Sequence, residues 1–550
     1  MMLRLRPSLA RGLAVLAIVA SCSGLCSEVS AAGPAPSPSP SPAVKRSAEA
    51  DLRPPDGKWL RDAEGQEYFG LKTRMPKGSY EWANPEKTRA RTGHGVEVEV
   101  LDHDDESLTI KIYRTDNEPT PAPPRGPSKA ELEQAARTYV VQAKKGKGAK
   151  LAPLGDGLPQ RGQWRNGFAI ADVDGDGHLD IVFGPARKSH RGPAVFKGDG
   201  AGHWVVWKDA RFPNLPFDYG DAATGDLNGD GKVDVVLANH LRGIIAMLGD
   251  GKGGFTEWSK GIEFGLPGGP DAKPVFTSRA IELADWNRDG RPDVIAIGEG
   301  PQLMAAARRT QVGGGSRGIT IYTNAGDGSW AKRTQAGSGS FGNTLAVADV
   351  NGDGLLDIVA GSERRGFRGI LDLGQPDGSW KETEIAELRP EALMRAVATA
   401  DFDRDGKQDI AVGYVNSELG VDRRGIDVLL NRGGTWQRVT LLAEESRDGF
   451  NAVTTGDLNG DGSPDLVAVD EAGALHLFRG DGKGGFTREA LAKPALAENC
   501  AGYGLQAAKI GGGSADDIVA SFADESEEML GSGPGCPSQG SIGVWKPRFD

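Results

Sequence analysis

The chain has 550 residues, 38% of them hydrophobic and 25% charged, with a formal net charge of −12. That length and apolar share exclude wholesale disorder and allow two domains or one large repeat array, while the acidic balance excludes an electrostatic case for nucleic acid. Gly, at 80 residues, is about twice the usual share of roughly 7% and has no collagen period. Many tight turns between short strands follow, so an all-β protein is expected.

In chain order, MMLRLRPSLARGLAVLAIVASC sets Arg4, Arg6 and Arg11 before an apolar run from Leu13 to Ala20. The run is too short to span a bilayer and has the form of an export signal over residues 1–21. Val19-Ala20-Ser21-Cys22 resembles a bacterial lipobox, in which the Cys is lipidated; cleavage after Val29-Ser30-Ala31 is the competing reading. The expectation is an exported protein, secreted or at the cell surface, that meets a membrane only through a lipid on Cys22. Residues 33–55, with their alternating Pro and Ser, form an extended spacer. Residues 56–115 read as a small β domain in which VEVEVL (96–101) and SLTIKIY (107–113) make a hairpin. Residues 116–145 read as linker and short helix, with Ser128 and Glu131 at capping-box spacing.

From residue 146 onward a unit repeats. ADVDGDGHLDIVFG (171–184) places four carboxylates in nine positions, and related loops begin at Asp226, Asp285, Asp349, Asp401 and Asp457. Each unit has an apolar strand into the loop, a second strand such as LDIVFG (179–184), a third such as AVFKG (194–198), and a fourth entered through a Gly-rich turn ending in an aromatic, as in GDGKGGF (249–255). Four antiparallel strands per repeat is a propeller blade. A seventh unit, AAKIGGGSADDIVASF (507–522), replaces the acids by Lys509, Gly511 and Gly513 and keeps Asp517. Its third strand, SIGVWKP (541–547), is followed by no fourth, so the segment around Lys150 is expected to close the ring.

On these loops and strands, residues 146–550 resemble the FG-GAP or VCBS repeat family, whose best-known members are integrin α-subunit propellers. The resemblance implies a seven-bladed propeller with calcium in the loops between the first two strands of a blade, and ligand binding on the opposite face. It implies no single activity.

The loop chemistry agrees. Asp or Asn stands at positions 1, 3 and 5, Gly at 6 and Asp at 9, and oxygen-only donors in a tight loop suit calcium, whereas zinc takes nitrogen or sulfur. About six calcium sites are expected, with these ligands: Asp172, Asp174, Asp176, the His178 carbonyl and Asp180; Asp226, Asn228, Asp230 and Asp234; Asp285, Asn287, Asp289 and Asp293; Asp349, Asn351, Asp353 and Asp357; Asp401, Asp403, Asp405 and Asp409; Asp457, Asn459, Asp461 and Asp465. An EF-hand would need an acid at position 12, where Phe183, Leu237, Ala296, Ala360, Val412 and Ala468 stand instead. A metal-free Asn/Asp-Gly turn is the plain alternative; against it stands the repulsion among carboxylates crowded into one loop.

On the opposite face five consecutive blades carry Arg-Gly before strand three, at Arg191, Arg242, Arg317, Arg368 and Arg424. Six residues before the first acid, near the channel mouth, lie Asn166, Arg279, Asn343, Arg395 and Asn451. The arginines either cap the blades or bind an anionic ligand, both through paired hydrogen bonds. No GxSxG, HExxH or P-loop occurs, so no catalytic residue is assigned; His190 and His240, on the same face, leave a polysaccharide lyase or glycosidase as the alternative. The first reading is a monomeric binding or adhesion module for an extracellular or cell-surface glycan or protein. Trp330, Trp380 and Trp436 read as packing. Cys500 and Cys536, at one end of blade seven in an exported chain, should pair.

Overall fold

The computed structural model describes residues 139–550 except 166, 188–191, 266–274, 301–315, 336–339, 390, 419–420 and 525–535, together with the backbone of strands between 4 and 113. Cys22, the Pro/Ser spacer and the capping-box helix lie outside the described residues. Two compact units are present, one within residues 1–126 and one carrying the repeats. In the first, Leu60–Arg61, Glu67–Thr73, Leu108–Tyr113, Glu97–His103 and Arg89–Arg91 are neighbours, in that order, in an antiparallel sheet. The hairpin puts Val98 opposite Ile112 and Val100 opposite Ile110, so alternate apolar residues share a face.

The second unit is a seven-bladed β-propeller. Blade 1 consists of Phe168–Ala171, Asp180–Phe183, Ala194–Gly198 and Trp204–Val206, paired antiparallel in that order. Blades 2 to 6 repeat this order, their inner strands being Ala222–Gly225, Ser278–Ala284, Leu345–Ala348, Leu393–Ala400 and Phe450–Gly456; that of blade 7 is Ala501–Ala508. Second strands such as Asp234–Asn239 and Asp293–Gly298 are buried at every residue, because each blade is sandwiched between two others; hence their unbroken apolar runs. The core lies between blades: Leu227, Val236 and Ile244 of blade 2 pack on Ile281, Val294 and Tyr322 of blade 3, at about 1.5–3 kcal/mol per buried aliphatic side chain. Trp330 and Trp380 are buried, and Trp436 packs half-buried against the core. Trp330 Nε1 donates to the Trp258 carbonyl at 2.8 Å, stitching blade 3 to blade 2.

Ala149–Pro153 pairs antiparallel with Gly540–Phe549, Phe549 facing Ala149 and Trp545 facing Pro153. The segment around Lys150 is therefore the fourth strand of blade 7. Residues 139–145, expected as linker, belong to the propeller too. Lys144–Lys145 runs parallel to Phe486–Glu489 of blade 6, and Gln142 exchanges hydrogen bonds with Thr440 of blade 5. The Tyr139 ring sits 4.2 Å from the buried Arg389 guanidinium, its hydroxyl accepting from Asn416 at 2.7 Å. A KKGKG segment has no periodicity of its own; its strand exists because blade 6 offers an unpaired edge. Cys500 and Cys536 are disulfide-bonded across 36 residues of blade 7.

Candidate cation loops and the channel mouth

Each acidic loop joins an inner strand to the second strand of its blade. In loop 1 Asp172 accepts the N–H groups of Asp176 at 3.0 Å and Gly177 at 2.8 Å, and Asp176 accepts that of His178 at 3.0 Å. The first acids of the other loops, Asp226, Asp285, Asp349, Asp401 and Asp457, accept from their own fifth and sixth residues in the same way. This curl needs a left-handed residue at position 6. Gly177 has φ 89° there and open space where a Cβ would be, so conformation rather than room demands glycine.

The ninth-position acids Asp180, Asp234, Asp293, Asp357, Asp409, Asp465 and Asp517 are all fully buried. Asp180 accepts the N–H of Val173 and that of Gly198, both at 3.0 Å, and so staples the loop to the end of the third strand; Asp234 holds Leu227 and Gly249 likewise at 2.8 Å. Burial pushes Asp180, Asp234, Asp293 and Asp409 up to about 6 and Asp465 up to about 7, against the pull of these amides. Expected as ion ligands in loops 1 to 6, these residues also hold the fold, and Asp293 and Asp357 each spend one oxygen on two amides, those of Trp286 and Asn287 or of Val350 and Asn351.

Oxygens of Asp172, Asp174 and Asp176 lie within 4.8 Å of one another, as do those of Asp401, Asp403 and Asp405. Asp403, its side chain 8% exposed, has a buried Oδ1 without a hydrogen-bond partner. A converging, all-oxygen set with an unsatisfied buried lone pair fits a hard cation such as calcium. In three of the remaining loops the third position is an Asn that turns its amide onto the fifth acid: Asn287 to Asp289 at 2.9 Å, Asn351 to Asp353 at 3.0 Å and Asn459 to Asp461 at 2.8 Å. In loop 2 the Asn228 carbonyl oxygen accepts the Asp230 N–H at 2.9 Å.

At the other end of the inner strands, Arg279, Asn343, Arg395 and Asn451 line a channel of about 880 Å3; Asn166, His190 and Arg191 lie outside the described residues. Of the channel arginines, Arg279 and Arg395 are held by carboxylates. Arg279 Nε is 3.1 Å from Glu299, which also bonds His240 Nδ1 of blade 2 at 2.6 Å. Burial alone would raise the Glu299 pKa, but His240 and Arg279 hold it below the usual range. Arg395 of blade 5 contacts Glu363 of blade 4 at 3.4 Å and Glu471 of blade 6, tying three blades together. Of the Arg-Gly set, Arg424 pairs with Glu444 and, at 3.0 Å, with Asp470; Arg242 is 3.4 Å from Asp218, Arg317 lies over the Phe341 ring, and Arg368 donates to the Ala386 carbonyl. Burial also raises the pKa of Asp221, in the channel lining, to about 7, while Glu282 beside it in the lining is exposed.

Sequence reasoning missed the partners. Glu299, Glu363 and Glu471 each stand six residues after the ninth acid of their loop, a recurrence that was there to be read. Tyr219, its ring tilted 34° against His240 at 4.7 Å, and Tyr503, 4.8 Å beneath the Arg165 guanidinium, carried no such signal.

Among known proteins, the FG-GAP-like repeat profile matches residues 172–237, 226–296, 306–360 and 457–520. Human and rat integrin alpha-7 are each 28% identical over 189 residues, 31% of this chain and 16% of theirs. Human cartilage acidic protein 1 is 23% identical over 354 residues, 57% of this chain and 49% of its own; the chain thus spans less than half the length of each of these relatives. A crystal structure of BBS1N in complex with ARL6DN aligns at a TM-score of 0.43 and 12% identity, covering 73% of this chain and 98% of that one. Among the described residues no helix is long and apolar enough to cross a membrane.

Proposed function

We propose that this chain, a seven-bladed propeller of the FG-GAP repeat family related to integrin α-subunit propellers, is an exported binding or adhesion module stabilised by calcium. The observation that carries the reading is the division between its two faces: one repeats curled acidic loops, with the first, third and fifth carboxylates converging in loops 1 and 5, and the other sets arginines and carboxylates at the channel mouth. In the loops Asp172, Asp174 and Asp176, and their counterparts in blades 2 to 6, would hold the ion, which neutralises the crowded carboxylates. Bound only by the folded chain, each ion adds about 2.7 kcal/mol at a hundredfold excess over its dissociation constant.

The opposite face offers planar paired donors to a carboxylate-bearing or phosphorylated glycan, or to an acidic protein surface. The experiment is metal analysis and melting of the purified protein with and without EDTA, followed by a glycan array and a screen of extracellular proteins in calcium. Absence of calcium together with an unchanged melting curve sinks the cation reading. Loss of anionic binding in Arg242→Ala and Arg424→Ala, with melting preserved, supports recognition; collapse of melting without any ligand makes these arginines blade ties. Intact mass of the mature N-terminus decides between a lipid on Cys22 and plain cleavage.

A carbohydrate-active enzyme, lyase or glycosidase, is favoured by one cluster: the Tyr219 phenol, the His240 imidazole, Glu299 and Arg279 meet at the channel mouth. Tyr219 is 6% and Glu299 4% exposed, which keeps binding as the first reading. Release of unsaturated products from uronate polysaccharides, lost in His240→Ala, would reverse that order.

A further inference from the structure

The acidic loops differ in which cation of the chain itself reaches them, and the difference follows strand register. One residue beyond the pair Ile181–Phe196 in blade 1, the ninth acid Asp180 faces Lys197; one residue beyond Ile518–Trp545 in blade 7, Asp517 faces Lys546. In blades 2 to 5 the same position holds Leu248, Thr323, Leu373 and Leu430, and in blade 6 Arg479, which is drawn away to Glu489 at 2.7 Å.

Blade 7 shows what such a cation does. Its loop has lost the first, third and fifth acids, and Lys546 Nζ donates to the carbonyls of Gly512 at 2.8 Å and Gly511 at 3.2 Å and lies 3.8 Å from Asp517. An ammonium held by loop carbonyls and the ninth carboxylate is a cation wired into the chain. In blade 1 the equivalent Lys197 Nζ contacts Asp174 and lies 3.7 Å from Asp176. In blade 5, where Leu430 holds that register position, Arg432 takes over from two residues further on: it contacts Asp403 and lies 3.8 Å from Asp405. Loops 1 and 5 are also the two with Asp rather than Asn at position 3, and the extra acid, Asp174 or Asp403, is the one the cation contacts. The second oxygen of Asp403 remains buried and unpartnered, so Arg432 leaves that loop unsatisfied.

We infer that Lys197 and Arg432 are built-in competitors for the cation of loops 1 and 5, and that Lys546 replaces the ion of loop 7 altogether. This rests on the calcium reading of the loops. An incoming ion at loop 1 or 5 must first part a charge-assisted hydrogen bond and then share the loop with a like charge. From the third strand no cation reaches loops 2, 3, 4 and 6; within the loops Lys232 holds Asp230 at 2.9 Å and Arg291 contacts Asp289, each on the fifth acid beside an uncharged Asn at position 3. The chain should therefore bind calcium in two steps, with loops 1 and 5, whose third acid is also taken, filling last.

Calorimetric titration of the EDTA-stripped full chain with calcium chloride tests this. Wild type should show a tight class and a weaker class. Lys197→Met, which removes the ammonium that lies 5.6 Å over the Trp207 ring, and Arg432→Gln should each move one site toward the tight class by about tenfold, a step of about 1.4 kcal/mol, with total stoichiometry unchanged; Lys197→Gln serves if the Met variant folds poorly. Lys546→Met should leave calcium stoichiometry untouched and lower the melting temperature equally in EDTA and in calcium. Calcium binding in one uniform class, unmoved or weakened by the Lys197 and Arg432 variants, overturns the inference and leaves the calcium reading standing. Absence of any calcium binding in wild type and variants overturns both.

Discussion

Loop 7 and loop 1 join the same two strands of a blade by different curls: the left-handed residues are Gly175 and Gly177, at positions 4 and 6, in loop 1, but Gly512 and Gly513, at positions 4 and 5, in loop 7. Loop 1 has Asp172, Asp174 and Asp176 curling its amides inward; loop 7 has Lys509, Gly511 and Gly513 at those places, yet both keep a fully buried ninth acid, Asp180 or Asp517, that accepts backbone N–H groups. The comparison separates two roles that one motif hides. The ninth carboxylate satisfies amides that a tight, buried turn would otherwise orphan, which every blade requires. The other three acids hold amides within the loop and gather charge, and the gathered charge is what the proposed cation site requires. Blade 7, lacking that site, has an internal ammonium, a disulfide and a fourth strand borrowed from Ala149–Pro153.

The largest break in this comparison should come from the disulfide. Replacing Cys500 and Cys536 by Ser should cost about 4 kcal/mol, by the chain-entropy estimate for a loop of this length, equally in EDTA and calcium; denaturant melts in both buffers check it. Chelation should instead weaken blades 1 to 6, so the two effects should add.

A buried acid outside the loops supplies a control. Asp372 of blade 4 is 1% exposed, faces Glu382 across the sheet and has an unpartnered Oδ1; burial, with Glu382 adding, raises its pKa to about 7. Because its pKa is raised on folding, the contribution is fully present below about pH 4 and is lost as pH rises through about 7, on the order of 4 kcal/mol in all. Asp372→Asn should flatten that part of the stability–pH curve, measured as the difference from wild type between pH 4 and 8.

At the ninth position, Asp517→Ala leaves buried amides unpaired and should cost about 3 kcal/mol whether or not calcium is present. Asp172→Ala should show its larger cost only in calcium. Equal behaviour of these two variants would erase the division of roles. The smallest effect concerns position 4, which is left-handed throughout: Gly175 has φ 74°, but loop 3 has Arg288 at φ 60°. Arg288→Gly should stabilise the apo protein by about 1 kcal/mol, read from the melting temperature in EDTA.

By itself the sequence determined whatever is encoded within a few residues. Repeats of strand, loop and strand set the blades, Gly at position 6 set the curl, spacing placed Arg279 and Arg395 at the channel mouth, and the absence of a last strand pointed to Lys150 as the closing segment. Tertiary structure alone decided the partners. Arg395 and Glu471 are 76 residues apart, and Tyr139 and Asn416 are 277 apart; such pairs exist because neighbouring blades pack and the ring closes. The strand at Lys144–Lys145 has no local propensity to announce it and forms against the exposed edge of blade 6. Lys197 and Lys546 look like ordinary strand lysines until register turns them into their loops. Periodicity records which face a residue takes, whereas the charge it meets there depends on a chain segment that folding alone brings near.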